Sequence, residues 1–96
     1  MARRGLKIQM GPYTLRQKWV SEKSLAKKDA WATYNPVTRE ISLGDACDVE
    51  RAHETLMHEL VEAANAIGDL SLPHSKIQTL GILLSQALRP VLQKWW

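Results

Sequence analysis

The sequence lacks most of the devices that hold very small domains together or place them in membranes. Its one cysteine, Cys47, leaves no internal disulfide among the 96 residues, which excludes a disulfide-stapled secreted scaffold. No apolar run approaches the roughly 20 residues that span a bilayer, and no apolar signal-peptide segment follows the basic residues at the start. We therefore expect a single domain over residues 1–96, in the reducing cytoplasm, with no membrane partner.

Common catalytic and binding motifs are missing as well. The chain has no glycine-rich phosphate loop, no zinc-ribbon cysteine pairs and no serine elbow of a hydrolase triad. What is present is an ordinary globular composition, with 45% hydrophobic and 24% charged residues. A disordered or low-complexity chain is thereby excluded.

The net charge of +3 conceals two halves of opposite sign. Residues 1–40 contain nine Lys or Arg and three acidic residues, a balance of +6, whereas residues 41–96 contain four and seven, a balance of −3. A basic half can bind nucleic acid, or it can form a solvated, lysine-rich strand surface that resists edge pairing. We favour the strand surface and do not expect nucleic acid as a partner, because no nucleic-acid-binding motif accompanies the charge.

Residues 1–44 are predicted to form about four short strands. Apolar and polar residues alternate along two segments with the period of a half-buried strand, and a glycine-proline pair separates these segments. An asparagine-proline pair separates two further segments with β propensity. The predicted strands are residues 6–10, 13–20, 31–34 and 40–43, with turns at Gly11-Pro12 and Asn35-Pro36.

Residues 45–68 are predicted to form a first helix. Asp45 or Asp48 can cap its start, and Gly68 is placed to end it. Apolar residues recur at helical spacing and define the face expected to be buried. They are Val49, Ala52, Leu56, Leu60, Ala63 and Ile67.

Residues 72–94 are predicted to form a second helix, antiparallel to the first. Ser71 and Pro73 favour its start, and Pro90 should end or kink it. Its expected buried stripe is Ile77, Leu80, Leu84, Ala87, Leu88 and Val91. The order of elements predicts an α+β fold, with two helices on one face of a small antiparallel sheet.

The first predicted helix carries a histidine and two glutamates in a spacing that suits a metal site. His58 and Glu62 are four residues apart, so their side chains lie on one helix face, about 5–6 Å apart at Cβ. Imidazole and carboxylate both ligate zinc, whose catalytic sites use three protein ligands. Glu59 is rotated by about 100° from His58, which suits it to accept a proton from water rather than to bind the ion.

His74 is the candidate third ligand. It opens the second predicted helix after a link of about five residues, and such a link returns the chain alongside the helix it has left. Glu62 lies about two turns before the end of the first helix, roughly 9 Å by rise. This distance is short enough for the returning chain to bring the His74 side chain to the level of Glu62. The predicted set is His58, Glu62 and His74 around Zn²⁺, with Mn²⁺ or another divalent ion as alternatives.

The same residues have a simpler interpretation. His58 and Glu62 lie opposite the apolar stripe, where solvated polar residues normally sit. With Glu54 they could form an ordinary polar face held by i,i+4 hydrogen bonds, and the spacing alone leaves both interpretations open. His53 projects close to the apolar stripe and is predicted to be a core or boundary residue.

Residues 55–65 resemble the active-site helix of the zincin metallopeptidases, whose pattern is His-Glu-x-x-His. The chain also resembles the small metallopeptidase-like proteins encoded by phages and prophages over residues 30–92. In those proteins a hairpin with a Tyr/Asp-Pro-x-Thr-x-x-Ile pattern, matched here by residues 34–41, precedes an arginine and Thr-Leu-x-His-Glu. A leucine-rich second helix follows, matched here by Leu72, Ile77, Leu80, Leu84 and Leu88.

This resemblance implies a minimal zincin-like fold and a zinc metallopeptidase, in which metal-activated water attacks a peptide bond with Glu59 as general base. The family's second histidine is Glu62 here, so the implied ligand set is His–Glu–His. An extended polypeptide substrate would pair with an exposed sheet edge, by analogy at residues 40–43. The alternative function is an inactive module of the same fold that binds a protein partner as a structural or regulatory phage component.

Overall fold

The structure of the protein, a computed structural model, describes residues 5–21, 32–45 and 48–95. They form four strands followed by helices, so the predicted α+β class is confirmed. The strands are β1 (Lys7–Met10), β2 (Tyr13–Val20), β3 (Ala32–Asn35) and β4 (Glu40–Gly44), and the helices are α1 (Val49–Gly68), α2 (His74–Ala87) and α3 (Arg89–Trp95). Trp31, expected to begin β3, lies outside the described residues.

None of the helices in these described ranges is both long and apolar enough to cross a membrane.

The sheet is mixed, and the expectation of an antiparallel sheet is wrong at one pairing. Its strand order is β1-β2-β4-β3. The two predicted hairpins are antiparallel, but they join through β2 and β4, which run parallel. Turn residues determine the pairing within a hairpin, whereas the strand through which two hairpins meet depends on tertiary packing. Residues 40–43 therefore belong to an internal strand and are not a sheet edge.

The turns of both hairpins have the geometry that their residues favour. Gly11 takes a positive φ of 58° in the two-residue turn between β1 and β2, a conformation open to glycine because it lacks Cβ. In the second hairpin the Asn35 side-chain oxygen accepts hydrogen bonds from the N–H groups of Val37 and Thr38, at 2.9 and 3.2 Å. Such bonds to nearby backbone are typical of asparagine in turns.

The core lies between the sheet and α1, with a contribution from α3. Its buried side chains are Leu15, Ile41, Leu43, Leu56, Met57, Ala63 and Leu92. The stripe predicted for α1 is largely confirmed, because Ala52, Leu56 and Ala63 are buried and Leu60 and Ile67 pack partly against the core. His53 is 4% exposed, in agreement with its prediction as a core residue.

The helix ends differ from the predicted ones by a few residues. Asp48 caps α1, as one of the two alternatives predicted, by accepting a hydrogen bond from a backbone N–H of the first turn. The left-handed residue that ends α1 is Asp69, with φ 50°, rather than Gly68. The break between α2 and α3 falls at Leu88, and Pro90 lies in the first turn of α3, where its missing N–H is tolerated.

The buried face of α2 agrees with the predicted stripe at Ile77 and differs from it elsewhere. Its buried residues are Ile77, Gly81 and Ser85, which recur every four residues. The leucines and valine of the predicted stripe are instead 39–65% exposed: Leu80, Leu84, Leu88 and Val91. A Cβ atom on Gly81 would lie 3.0 Å from the Cα of His58 in α1. The two backbones thus approach closely at Gly81, and this contact turns the leucines away from α1.

Candidate metal centre

The structure brings the three candidate ligands together where α2 meets α1. His58 Nε2 lies 3.7 Å, and His74 Nδ1 lies 3.9 Å, from Oε1 of Glu62. Donor atoms of all three residues lie within 4.8 Å of one another, and no other group of three such donors occurs within residues 5–21, 32–45 and 48–95. The two imidazole rings are 5.5 Å apart and inclined by 65°, so both can direct a nitrogen towards the carboxylate.

The donor set suits one divalent ion. Zinc binds imidazole nitrogen and carboxylate oxygen at about 2.0–2.2 Å, which places two ligand atoms of a tetrahedral site roughly 3.3–3.5 Å apart. The observed separations of 3.7 and 3.9 Å exceed this by less than about 1 Å, a distance that side-chain rotation covers. Two imidazoles and one carboxylate leave a fourth zinc position open, and the carboxylate also suits a harder ion such as manganese.

His58 and Glu62 are not on a fully solvated helix face. Their side chains are 26% and 36% exposed, whereas that of His74 is 73% exposed. The difference arises because α2 packs over this side of α1, with Gly81 against the backbone of His58. The two side chains are therefore half-buried, and their i,i+4 contact at 3.7 Å is one that the polar-face interpretation also predicts.

Asn65 holds the link that returns the third ligand to α1. Its side-chain oxygen accepts a hydrogen bond from the N–H of Leu72 at 2.9 Å, and its carbonyl accepts one from Leu70 at 3.1 Å. Asp69 and Ser71 take positive φ values of 50° and 58° between these bonds. The sequence interpretation missed this residue, although an asparagine in a helix's last turn is a known competitor for nearby backbone bonds.

A pocket of about 340 Å³ adjoins the candidate ligands. Its walls come from β3, α1 and α2, and the lining residues are Ala32, Glu54, Thr55, His58, Glu59, Gln78 and Ile82. His58 belongs both to the ligand group and to the pocket wall, and Glu59 opens onto the same space. A molecule in this pocket would therefore lie next to the proposed base and one proposed ligand.

The pKa of Glu59 is raised to about 7, mainly because partial burial disfavours its charged form and secondly because the Glu62 carboxylate is near. A carboxyl group with this pKa can exchange a proton with water at neutral pH, as general acid–base catalysis requires. A cation held by Glu62 and the histidines would favour the ionised form of Glu59.

Comparison of the chain with models of protein families, with curated proteins and with solved structures finds no match.

Gly81→Ala is expected to lower the melting temperature, although alanine favours a helix over glycine by about 1 kcal/mol. The added methyl group would meet the His58 backbone at 3.0 Å, and overpacking of this kind costs about 1–3 kcal/mol. Thermal unfolding followed by circular dichroism measures the effect. Gly68→Ala is the matched control, because its methyl group meets only the Leu70 side chain, at 3.3 Å. A melting temperature for Gly81→Ala at or above that of the native protein would contradict the close helix contact.

Asn65→Ala is expected to lower the free energy of unfolding by about 1–2 kcal/mol, because the partly buried Leu72 N–H loses its acceptor. Asn65→Asp keeps an acceptor oxygen and should recover most of the loss. Urea unfolding compares the two variants with Gln86→Ala, an exposed α2 position. Equal stability of Asn65→Ala and Gln86→Ala would show that the link does not depend on this bond.

Glu59→Gln is expected to change how stability depends on pH in protein kept metal-free with a chelator. Between pH 4.5 and about 7 the folded state holds more protons on Glu59 than the unfolded state, so the native protein loses stability as pH rises through this range. The variant lacks this loss, roughly 1–2 kcal/mol after allowance for solvent screening at a partly exposed group. Urea titrations at pH 4.5 and pH 8 measure it. Glu54→Gln, at an exposed position of the same helix, should behave as the native protein, and parallel pH curves for all three proteins would refute the assignment.

Proposed function

We propose that the protein is a small metal-dependent hydrolase of the metallopeptidase type. His58, Glu62 and His74 hold one divalent ion, Zn²⁺ or alternatively Mn²⁺, and Glu59 acts as the general base. The observation that carries the proposal is the convergence of three donor groups from two helices beside a glutamate whose pKa lies near neutrality. The resemblance of residues 55–65 to a zincin active-site helix supports the same chemistry.

The division of roles follows from position and chemistry. A bound divalent ion supplies a Lewis acid that polarises a carbonyl group and lowers the pKa of water. Glu59 opens onto the adjoining pocket, where its carboxylate can accept a proton from water and return it to a leaving amine. The side-chain amide of Gln78, which lines the pocket from α2, can donate a hydrogen bond to a substrate carbonyl.

The substrate class is a polypeptide in an extended conformation. β3 is an edge strand of the described sheet, and its residue Ala32 lines the pocket that contains Glu59. An extended peptide added along β3 would therefore run past the pocket. β3 thus replaces residues 40–43, which the sequence suggested as the pairing edge and which form an internal strand.

The single cysteine favours a reducing compartment, and we propose that the protein acts in the cytoplasm.

Zinc titration of the chelator-treated protein tests the ligand assignment. The native protein should bind about one equivalent of zinc. Each of the variants His58→Ala, Glu62→Ala and His74→Ala should weaken zinc binding by more than about 100-fold, because loss of a group that only supports a ligand already weakens metal binding by about 10–100-fold. Glu59→Gln should weaken zinc binding far less than the three alanine variants do, since Glu59 contributes only its charge and is not a ligand. Glu54→Ala is the matched control, because Glu54 precedes His58 by one turn and lies outside the ligand group. Native-like affinity in the three alanine variants would overturn the site.

Cleavage of an unfolded, carboxymethylated polypeptide by the zinc-loaded protein then tests the reaction. The native protein should produce fragments, and Glu59→Gln should bind zinc and produce none. Zinc binding without cleavage by the native protein would contradict the peptidase function and favour the alternative of an inactive, protein-binding module.

A further inference from the structure

A groove lined entirely by apolar residues lies on the other side of the α1–α2 contact from the pocket that contains Glu59. Its volume is about 400 Å³, and its walls include Met57 and Val61 of α1, Leu80 and Leu84 of α2, and Met10 of β1. β1 and β3 are opposite edges of the sheet. The groove and the Glu59 pocket are therefore separate surfaces that share only the two helices.

The helices beside the groove expose further apolar side chains. Leu83 is 56% and Val91 is 65% exposed, and Leu80, Leu84 and Leu88 are each about 40% exposed. Single exposed leucines are ordinary on protein surfaces, but a continuous apolar patch marks an interaction site. A groove between helices with apolar side chains repeating every three or four residues is the kind of surface that receives the apolar face of another helix.

The segment that carries these exposed leucines has charges of one sign only, which indicates the kind of helix it would receive. Residues 70–96 contain Lys76, Arg89 and Lys94 and no aspartate or glutamate. Lys76 lies one helical turn before Leu80, and Lys94 follows Val91 by three residues, so two exposed lysines flank the apolar stripe at its two ends. Arg89 is directed elsewhere, since it lies 4.0 Å from Glu50 of α1.

We infer that this groove binds an amphipathic helix of a partner protein whose apolar stripe is flanked by acidic residues. Opposite charges at the two lysines give the complementarity that specific interfaces use. A second copy of the chain is disfavoured, because pairing residues 74–95 with the same segment, in parallel or antiparallel about its centre, places lysines beside lysines with no acid in the segment to separate them. The concave shape fits a helix, whereas a flat lipid surface would leave the groove unfilled.

The size of the groove limits the contact. Leu80 to Leu88 spans eight residues of helix, or about 12 Å, so the groove holds two to three turns of the partner. None of its lining residues belongs to the candidate metal centre or to the adjoining pocket. The inference therefore does not depend on the proposed function.

Two fluorescent synthetic peptides of 18 residues test the inference with the full chain. Both are helix-stabilised and carry leucines at i, i+4, i+7 and i+11; one has glutamates and the other has lysines flanking this stripe. Fluorescence anisotropy should show saturable binding of the glutamate peptide, at least about tenfold tighter than the lysine peptide and weaker as salt rises. The double variant Lys76→Glu/Lys94→Glu should prefer the lysine peptide.

Substitutions in the groove distinguish specific binding of the peptide from non-specific hydrophobic binding. Leu84→Asp should weaken binding of the glutamate peptide by at least about tenfold, and Leu80→Asp, at another exposed position of the groove wall, gives the same test if Leu84→Asp does not fold. Val37→Asp is the matched control, because Val37 is 84% exposed in the distant hairpin turn. Circular dichroism checks that each variant is folded.

Three results would overturn the inference. The first is absence of saturable binding of the glutamate peptide at millimolar protein, and the second is equal affinity for both peptides. The third is self-association in sedimentation experiments that Leu80→Asp abolishes, which would assign the surface to a second copy. Binding to vesicles of phosphatidylserine and phosphatidylcholine without binding of the glutamate peptide would likewise overturn it in favour of a lipid surface.

Discussion

The close contact between α1 and α2 at Gly81 is the constraint on which the rest of the structure depends. Because no side chain stands between Gly81 and the backbone of His58, α2 lies near enough for His74 to approach Glu62. The same contact separates two surfaces, a polar pocket towards β3 and an apolar groove towards β1. A larger residue at position 81 would spread the candidate ligands and reshape both surfaces at once.

The contact also has an electrostatic consequence. By covering one side of α1 it leaves Glu59 and Glu62 partly buried near each other, and burial together with the second carboxylate raises the pKa of Glu59 to about 7. Ionisation of Glu59 costs free energy in a protein without a cation, because it adds a second negative charge near Glu62 at a partly buried position. Carboxyl groups with a perturbed pKa concentrate at functional sites, and a cation beside Glu59 would lower the cost of ionising it.

Much of the fold could be predicted from local patterns. The turns at Gly11 and Asn35 determine two hairpins, and the helical repeat of apolar residues identifies the face of α1 that covers the sheet. The three candidate ligands could also be named, because two lie one helical turn apart and the third follows a short link. Each of these features depends on residues that are close together in the chain, so its physical cause can be read from the local sequence.

The sequence by itself determined the secondary structure, the hairpin pairing and the residue types available to a metal ion. Only the tertiary structure decided that β2 and β4 are parallel, that Gly81 rather than the leucine stripe faces α1, and that Glu59 becomes partly buried. The physical reason is that these outcomes depend on distances between elements remote in the chain. Apolar periodicity predicts burial of the leucines, but the close approach of the α1 and α2 backbones at Gly81 turns them away from α1, and they line an open groove.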